Sequence, residues 1–518
     1  MSKNIRIGSR GSDLALWQAH FFQDSLKVIG VDSDIIIITT KGDRIQHLSF
    51  DKIEGKGFFT KEIEEALLND EIDIAIHSHK DLETHAPPGL KIAGVSYREN
   101  PSELLLIHPD AIDLSQPLNF KKGAIVGTSS ARRKAQISEL RNDITIKDIR
   151  GNIPTRINKL REGQFDAILI AFAGVYRLKL DLSDIHSEML DPRLFIPAPA
   201  QGALAYQCRE NDNETSDIIS NLHDQAVSNA IQIERGILSG FGGGCHIPIG
   251  VHAAPTNEGF RVRATFSKAW ESFSKRVRFE TTSIEDGLKI FETLKAKDLP
   301  SSVFISRDLS EDSYLKRACS KHKIVLTDKS LIAISPLAFQ INPDECEWVF
   351  FSSSNSVESF FSQEKPENWA SKKFGTAGEA TASALSNYIS SIDFIGTESD
   401  MFIVSHKFKE IVGSKKVLFP ISARSLKSIQ ASLGVDQALN VECYTSKPIH
   451  IQLAESQAYI FTSPSNVEAY LEGNTPFPKS AKLISIGNST ARKLKEHGFS
   501  SVIAEIPHES ELWALLAS

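Results

Sequence analysis

The stretch TKEIEEALLNDEIDIAIHSHKDL, residues 60–82, decides the fold class. Ile63, Ala66 and Leu67 recur at i, i+3 and i+4, which predicts an amphipathic helix, and Thr60 is placed to cap its start. Ile72, Ile74 and Ile76 then alternate at period two, as a strand does, so Ser78, His79, Lys80 and Asp81 fall at a strand's C-terminal end. Upstream, IIIITT (Ile35 to Thr40) reads as another apolar strand, and the succession is a βαβ rhythm. A second block from Pro101 to Pro199 repeats it, with strands near Ala124–Val126, Ile144–Ile149 and Ala167–Ala171. Ligand clefts in open α/β sheets favour the carboxyl ends of strands, so chemistry is sought at these junctions.

A chain of 518 residues exceeds what one core usually serves, and domain-size scaling predicts roughly three to five compact units. The 41% hydrophobic and 24% charged composition is that of a globular protein rather than a disordered one. A net charge of −7 argues against a general nucleic-acid binder, so an anionic ligand has to meet a local cluster of basic residues. The polar start, MSKNIRIGSRGS, and the lack of a long apolar run predict a cytoplasmic protein without a membrane segment. Five cysteines, none in a CxxC pair, disfavour a disulfide framework and a zinc site; no metal is expected.

FIPAPAQGALAYQCR (195–209) leads the chain back out of the second block, and a third unit from Asn221 to Leu299 carries GFGGGCHIPIG around Cys245. After Asp298-Leu299-Pro300 the rhythm restarts with SSVFISRDLS and continues to Ser518. There FFSSSNSVESF (350–360) and IFTSPSNVEAY (460–470) look alike, which predicts a duplicated strand-turn-helix unit and two similar lobes.

Seven motifs stand in order: IRIGSRGSDLALWQA, GKGFFTKEIEEALL, IDIAIHSHKDL, VGTSSARRKAQ, IRGNIPTR, PAPAQGAL and GGGCHIPIG. Over residues 4–295 this order resembles hydroxymethylbilane synthase, also called porphobilinogen deaminase. VFISR, WVFFSSSNSVESF, FGTAGEATASAL, KVLFPISARSL, VECYTSKP, YIFTSPSNVEAYL and LISIGNSTARKLKEHG resemble uroporphyrinogen III synthase from Val303 to Ser518. The resemblance implies an α/β protein with two periplasmic-binding-protein-like lobes (1–100 with 200–220, and 101–199) and a small α/β domain at 221–299. It implies two further α/β lobes (301–337 with 451–518, and 338–450), joined by extended segments near Ile332–Phe339 and Val441–His450. The implied activity is bifunctional and belongs to porphyrin, that is haem, biosynthesis. A transferase would join four porphobilinogens into hydroxymethylbilane with release of ammonia, and a lyase would close that product to uroporphyrinogen III. The implied cofactor is a dipyrromethane linked through Cys245, and the implied partners are these small molecules alone, with no nucleic acid or membrane, on a monomer. Departures from the family pattern are His79 where an aliphatic residue is usual, Ala131 where Leu is usual and Ala200 where Gly is usual.

Each candidate residue has a chemical and a plainer reading. Asp81, beside Lys80, can stabilise a cationic ring-protonated intermediate, or it is a surface ion pair on a turn. Thr128, Ser129 and Ser130 with Arg132 and Arg133, Arg150 and Arg156 around Asn152, Arg10 with Ser12, and Arg177 form donor groups suited to the acetates and propionates of a growing oligopyrrole. Asn152 also reads as a helix cap, with Pro154 in the first turn, and lone arginines are often only solvated. Ser78, Lys80 and Gln201 are further cofactor contacts. A thiolate at Cys245 can add to the same electrophilic methylene that elongation uses, against the plainer reading of a small buried hydrophobe. Phe59 is a pyrrole-stacking or core residue. In the C-terminal half, the turns carrying Ser353, Asn355, Thr462 and Ser463 can hold carboxylates on backbone donors. Tyr444 matches the family's one side chain with an acid role, or is a packing residue of the linker. Two other readings remain: a C-terminal half that only docks, and a solute-binding or sensor protein, since fold alone does not fix function.

Overall fold

The computed structural model describes residues 4–40, 60–243, 247–296, 299–434 and 436–518. The chain forms two compact units, Met1–Lys297 together with Ser518, and Asp298–Ala517.

The first unit holds three sheets. One has the strand order Ser33–Ile37, Ile5–Ser9, Ile74–Ser78, Leu204–Arg209, Leu90–Val95, with Leu204–Arg209 antiparallel to both neighbours. The helix expected after residue 60 runs Lys61–Leu68 and buries Ile63, Ala66 and Leu67. Thr60 does not cap it with its side chain: its backbone is already helical at φ −118°, ψ −25°, away from the extended conformation of a capping residue. The strand Ile74–Ser78 is buried on both faces rather than one, because it lies inside the sheet between two helical layers. Ile74 and Ile76 pack with Phe22 and Leu26 of helix Asp13–Val28, while Ile72 and Ala75 pack with Ile63 and Leu67.

The second sheet, in the order Thr145–Lys147, Ile125–Gly127, Ala167–Ala171, Glu103–Ile107, His186–Leu190, is reached and left through two adjacent crossing segments. They touch where Glu99 N donates to Gly202 O at 3.1 Å. Gly202 has φ +94° and a Cβ there would sit 2.2 Å from Glu99 O, so only glycine fits. Ala200, at φ +62°, takes the left-handed conformation that glycine holds without strain.

The third sheet is the antiparallel meander Ile249–Thr256, Gly259–Phe266, Lys275–Thr281, packed on helix Gln225–Gly240. Two buried ion pairs fasten it. Glu234 is fully buried and takes both Arg98 terminal nitrogens (2.7 and 3.1 Å), Ala200 N at 2.7 Å and Ala253 N at 2.8 Å. Arg276 reaches Glu139 at 3.4 Å and Leu194 O at 2.7 Å, tying the meander to the second sheet's helix Ala131–Leu140.

The second unit holds two more sheets. One is parallel, in the order Val325–Asp328, Ser302–Ile305, Ala458–Phe461, Lys482–Ser485, Val502–Ile503. The other runs Ile332–Pro336, Ala438–Pro448, Val417–Ser422, Trp348–Phe351, Lys373–Thr376, Phe394–Ile395. Ile332–Pro336, assigned to the first lobe on sequence, hydrogen-bonds instead into the six-stranded sheet. Its antiparallel partner Tyr444–Pro448 continues directly from a strand of that sheet. The duplication is visible in the backbone: Ser353 and Ser463 both sit at φ −159°, ψ 156°, each at the end of a strand and the start of a helix.

Replacing Glu234 with Ala leaves the Arg98 guanidinium and two backbone N–H groups buried without their acceptor. We expect it to destabilise the N-terminal unit by about 3–5 kcal/mol in urea unfolding, the usual cost of breaking a buried pair. His77 and His252 are both held neutral by burial, down to about 4. Between that value and their ordinary ~6.5 the unfolded chain binds more protons. Stability of this unit is therefore full above pH ~6.5 and declines as pH falls toward 4, and urea midpoints across that range should show a shallower decline in His77→Asn.

Candidate functional site

Strand Ile74–Ser78 ends in a single 3-10 turn, His79–Asp81. Asp81 is exposed, and its carboxylate makes no hydrogen bond or ion pair among the described residues. Beside it, Lys80 Nζ donates to Gln201 Oε1 at 3.1 Å, and Gln201 Nε2 donates to Pro101 O (2.7 Å) and Glu103 Oε1 (3.1 Å). Glu103, fully buried at the head of strand Glu103–Ile107, also accepts from Arg132 Nη2 at 2.5 Å and Arg133 Nη2 at 2.7 Å. Burial alone would raise this carboxyl, but Arg133, Arg132 and Lys80 outweigh burial and hold it far below the usual range. Lys80 is itself lowered, chiefly by burial, with Asp81 and Glu103 opposing Arg133 and Arg132.

Arg156 completes the cluster. Burial, then the charges of Arg133 and Arg150, push it down to about 10 against the opposing effect of Asp81. Among the described residues its guanidinium makes one hydrogen bond, from Nε to Gly151 O at 2.8 Å. The buried Nε of Arg133 has no hydrogen-bond partner among the described residues. A desolvated group of guanidiniums with donors to spare fits an anionic, carboxylate-bearing cofactor such as a dipyrromethane. Lys80, Arg133 and Arg156 would hold it, and Arg150 lies beside them.

Other expected ligand donors are used within the fold. Ser12, Ser130, Asn152, Ser353 and Ser463 cap helices by accepting from Ala15 N, Arg133 N, Thr155 N, Ser356 N and Asn466 N. Ser129 Oγ donates to Ile149 O (2.8 Å), and Thr128, 1% exposed, accepts from Ser130 N. Ser78 Oγ accepts from Gln18 Nε2 at 2.9 Å. Arg132 also donates to Ile196 O, and Arg177 donates to Gly202 O at 2.5 Å and lies over the Trp17 ring, both nearly fully buried. Arg132 and Arg177 therefore fasten the two crossing segments from within, and the buried Nε of Arg177 has no hydrogen-bond partner among the described residues. Arg10 lies close enough to His77 to help keep it neutral. His79 is buried and, through burial and then Arg235, held well below its ordinary value, so it stays uncharged beside Asp81. Ala131 opens helix Ala131–Leu140. Cys245 and Phe59 lie outside the described residues.

In the second unit, Tyr444 is 9% exposed and its hydroxyl lies 3.1 Å from Ser353 Oγ. Burial raises its pKa, partly offset by Ser353, which keeps the phenol protonated. Thr462 Oγ1 donates to Ser306 O at 3.1 Å, and Asn355 is exposed in the first turn of helix Ser354–Phe361. Sequence reasoning missed Glu103, Glu234 and Arg235. A Glu opening the apolar strand ELLLI was the one available signal, since a carboxylate there is buried and needs cations.

Residues 5–217 match the family described as "Porphobilinogen deaminase, dipyromethane cofactor binding domain", and residues 313–514 match "Uroporphyrinogen-III synthase HemD". The porphobilinogen deaminase of Maridesulfovibrio salexigens is 45% identical over 249 residues, 48% of this chain and 79% of its own. That of Streptococcus sanguinis is 38% identical over 299 residues, 57% of this chain and 92% of its own. A solved uroporphyrinogen-III synthetase from Helicobacter pylori 26695 is 20% identical, covering 40% of this chain and 95% of its own at a TM-score of 0.30, too low to bear on the assignment. No helix among the described residues is long and apolar enough to cross a membrane. The α/β architecture, the ordered motifs and these matches agree: the chain belongs to the porphobilinogen deaminase family and carries a uroporphyrinogen-III synthase module behind it.

Proposed function

We propose that this chain is a cytoplasmic, bifunctional enzyme of haem biosynthesis that polymerises porphobilinogen to hydroxymethylbilane and then cyclises it to uroporphyrinogen III. The observation that carries the first activity is the Asp81 carboxylate at a strand end, without a hydrogen bond or ion pair among the described residues, next to Lys80 and Arg156 and backed by Arg133. Loss of ammonia from porphobilinogen creates positive charge on the reacting pyrrole, and a carboxylate placed beside it offsets that charge. Lys80, Arg133, Arg150 and Arg156 hold the acetates and propionates of the chain as it lengthens. A dipyrromethane on the Cys245 sulfur supplies the covalent primer, and the left-handed Gly242 (φ +88°) and Gly243 (φ +67°) turn the backbone sharply just before it. Residues 1–100 with 200–220, 101–199 and 221–299 are its three domains, on a monomer.

For the second activity, residues 301–337 with 451–518 and 338–450 are the two lobes, although the 332–336 strand pairs with the latter. Ser353, Asn355, Thr462 and Ser463 lie at strand-to-helix junctions whose backbone N–H groups meet substrate carboxylates. The protonated Tyr444 hydroxyl assists departure of the terminal hydroxyl of hydroxymethylbilane as water, while the fold holds the conformation that inverts the last ring.

Purified protein supplied with porphobilinogen should accumulate uroporphyrinogen III; accumulation of the I isomer alone would reject the second activity. Intact-mass measurement should show a dipyrromethane adduct that is lost, with the polymerising activity, in Cys245→Ser. Tyr444→Phe should slow ring closure by about 10-fold or more while leaving hydroxymethylbilane formation unchanged, as expected for loss of a general acid.

A further inference from the structure

We propose that Arg235 is a positioning residue for Asp81, fixing from the neighbouring helix Gln225–Gly240 the turn that aims the carboxylate. This rests on the reading of Asp81 given above. Because the Asp81 side chain has no partner of its own among the described residues, the backbone of the turn determines where it points. That turn holds itself weakly. Its internal hydrogen bond, Leu82 N to His79 O, spans 3.4 Å, and upstream it is tied by His79 N to Ala203 O at 3.1 Å.

Besides the Lys80 Nζ bond to Gln201 Oε1, further tethers come from the helix and the residues just after it. Arg235 Nη1 donates to His79 O (3.1 Å) and Leu82 O (3.3 Å), and Nη2 donates to Glu83 O. One guanidinium thereby fixes carbonyls on both sides of Asp81, a geometry suited to a rigid planar fork and not to an ammonium. Downstream, Ser239 Oγ lies 3.1 Å from His85 Nε2, and Gly243 packs on Thr84. No carboxylate pairs with Arg235 among the described residues, and burial alone lowers it to about 10, so its partners are carbonyl dipoles. The same helix ends at Gly240, five positions before Cys245 in sequence.

The test is a double-mutant cycle on the full chain, with Arg235→Gln, Arg235→Lys and Asp81→Asn. If positioning is the role, each Arg235 variant keeps its adduct by intact mass. Each also loses about 10-fold in kcat with KM within about twofold, the expected cost of a misplaced reacting group. The Leu82 amide then exchanges hydrogen faster, and the Arg235 effect vanishes on the Asp81→Asn background. Should Arg235→Gln fail to fold, Arg235→Lys, which keeps the charge and loses the fork, carries the same comparison. An Arg235 effect of equal size with and without the Asp81 carboxylate overturns the proposal, as does loss of the adduct. Full activity of Asp81→Asn would instead overturn the reading of Asp81, and with it any need to position it.

Discussion

The fully buried carboxylate of Glu103 is the interaction on which the N-terminal site depends. Placing an anion at the head of an all-apolar strand is costly unless cations surround it. Arg132 and Arg133 do so directly, Gln201 adds a neutral N–H donor, and Lys80 reaches the carboxylate through Gln201. These partners come from a helix of the second sheet, from the returning segment and from the His79–Asp81 turn, so one charge joins parts of the chain that are remote in sequence. Its single negative charge cannot neutralise three cations. The surplus is directed to Lys80, Arg133 and Arg156, where it meets Asp81 and where an oligopyrrole would bring carboxylates. The ion-pair core and the proposed binding surface are one electrostatic system: the inner half fixes the geometry and the outer half stays positive.

Periodicity made the elements legible and left their side-chain roles ambiguous. The spacing of Ile63, Ala66 and Leu67 located a helix, and alternation located the strand that carries Ser78, because both patterns follow from local geometry. Ser, Thr and Asn at strand-to-helix junctions were harder. The oxygen that caps a helix is the oxygen that would meet a ligand, and only coordinates show whether an N–H of the first turn has already claimed it. Asn152 read correctly as a cap because Pro154 follows it in the first turn; Ser12, Ser130 and Ser353 gave no such sign, whereas Ser463, with Pro464 directly after it, carried the same one. The roles of Glu103 and Glu234 could not be read from a single sequence. Arg132 and Arg133 lie 29 and 30 residues from Glu103, and Arg98 lies 136 residues from Glu234.

The second unit was legible through its repeat. Two junctions with the same φ and ψ, 110 positions apart, show that likeness in sequence extends to the backbone. Yet the copies diverge in what the capping serine meets: Ser353 lies against the Tyr444 hydroxyl, whereas Ser463 takes the amide of Asn466. Asn466 in turn accepts from Leu331 N in the connecting segment. One copy thus presents a phenol at its strand end and the other anchors a linker, so a duplicated scaffold carries an asymmetric site.

Sheet geometry explains why that asymmetry falls where it does. The strand Ala438–Pro448 runs parallel to Val417–Ser422 over its first half, then pairs antiparallel with Ile332–Pro336 over its second. The register shifts between Ile421 and Ser422, at the point where Tyr444 comes opposite Ser422. An irregularity at that point re-aims a side chain in the way bulges do, and Tyr444 pairs with Pro336 on the other flank, which has no N–H to give. The tyrosine is therefore held at the junction of sheet and linker, buried enough to stay protonated and hydrogen-bonded to Ser353. In the proposed role of Tyr444, a group so placed can assist a labile leaving group as a weak acid while its backbone remains part of the sheet.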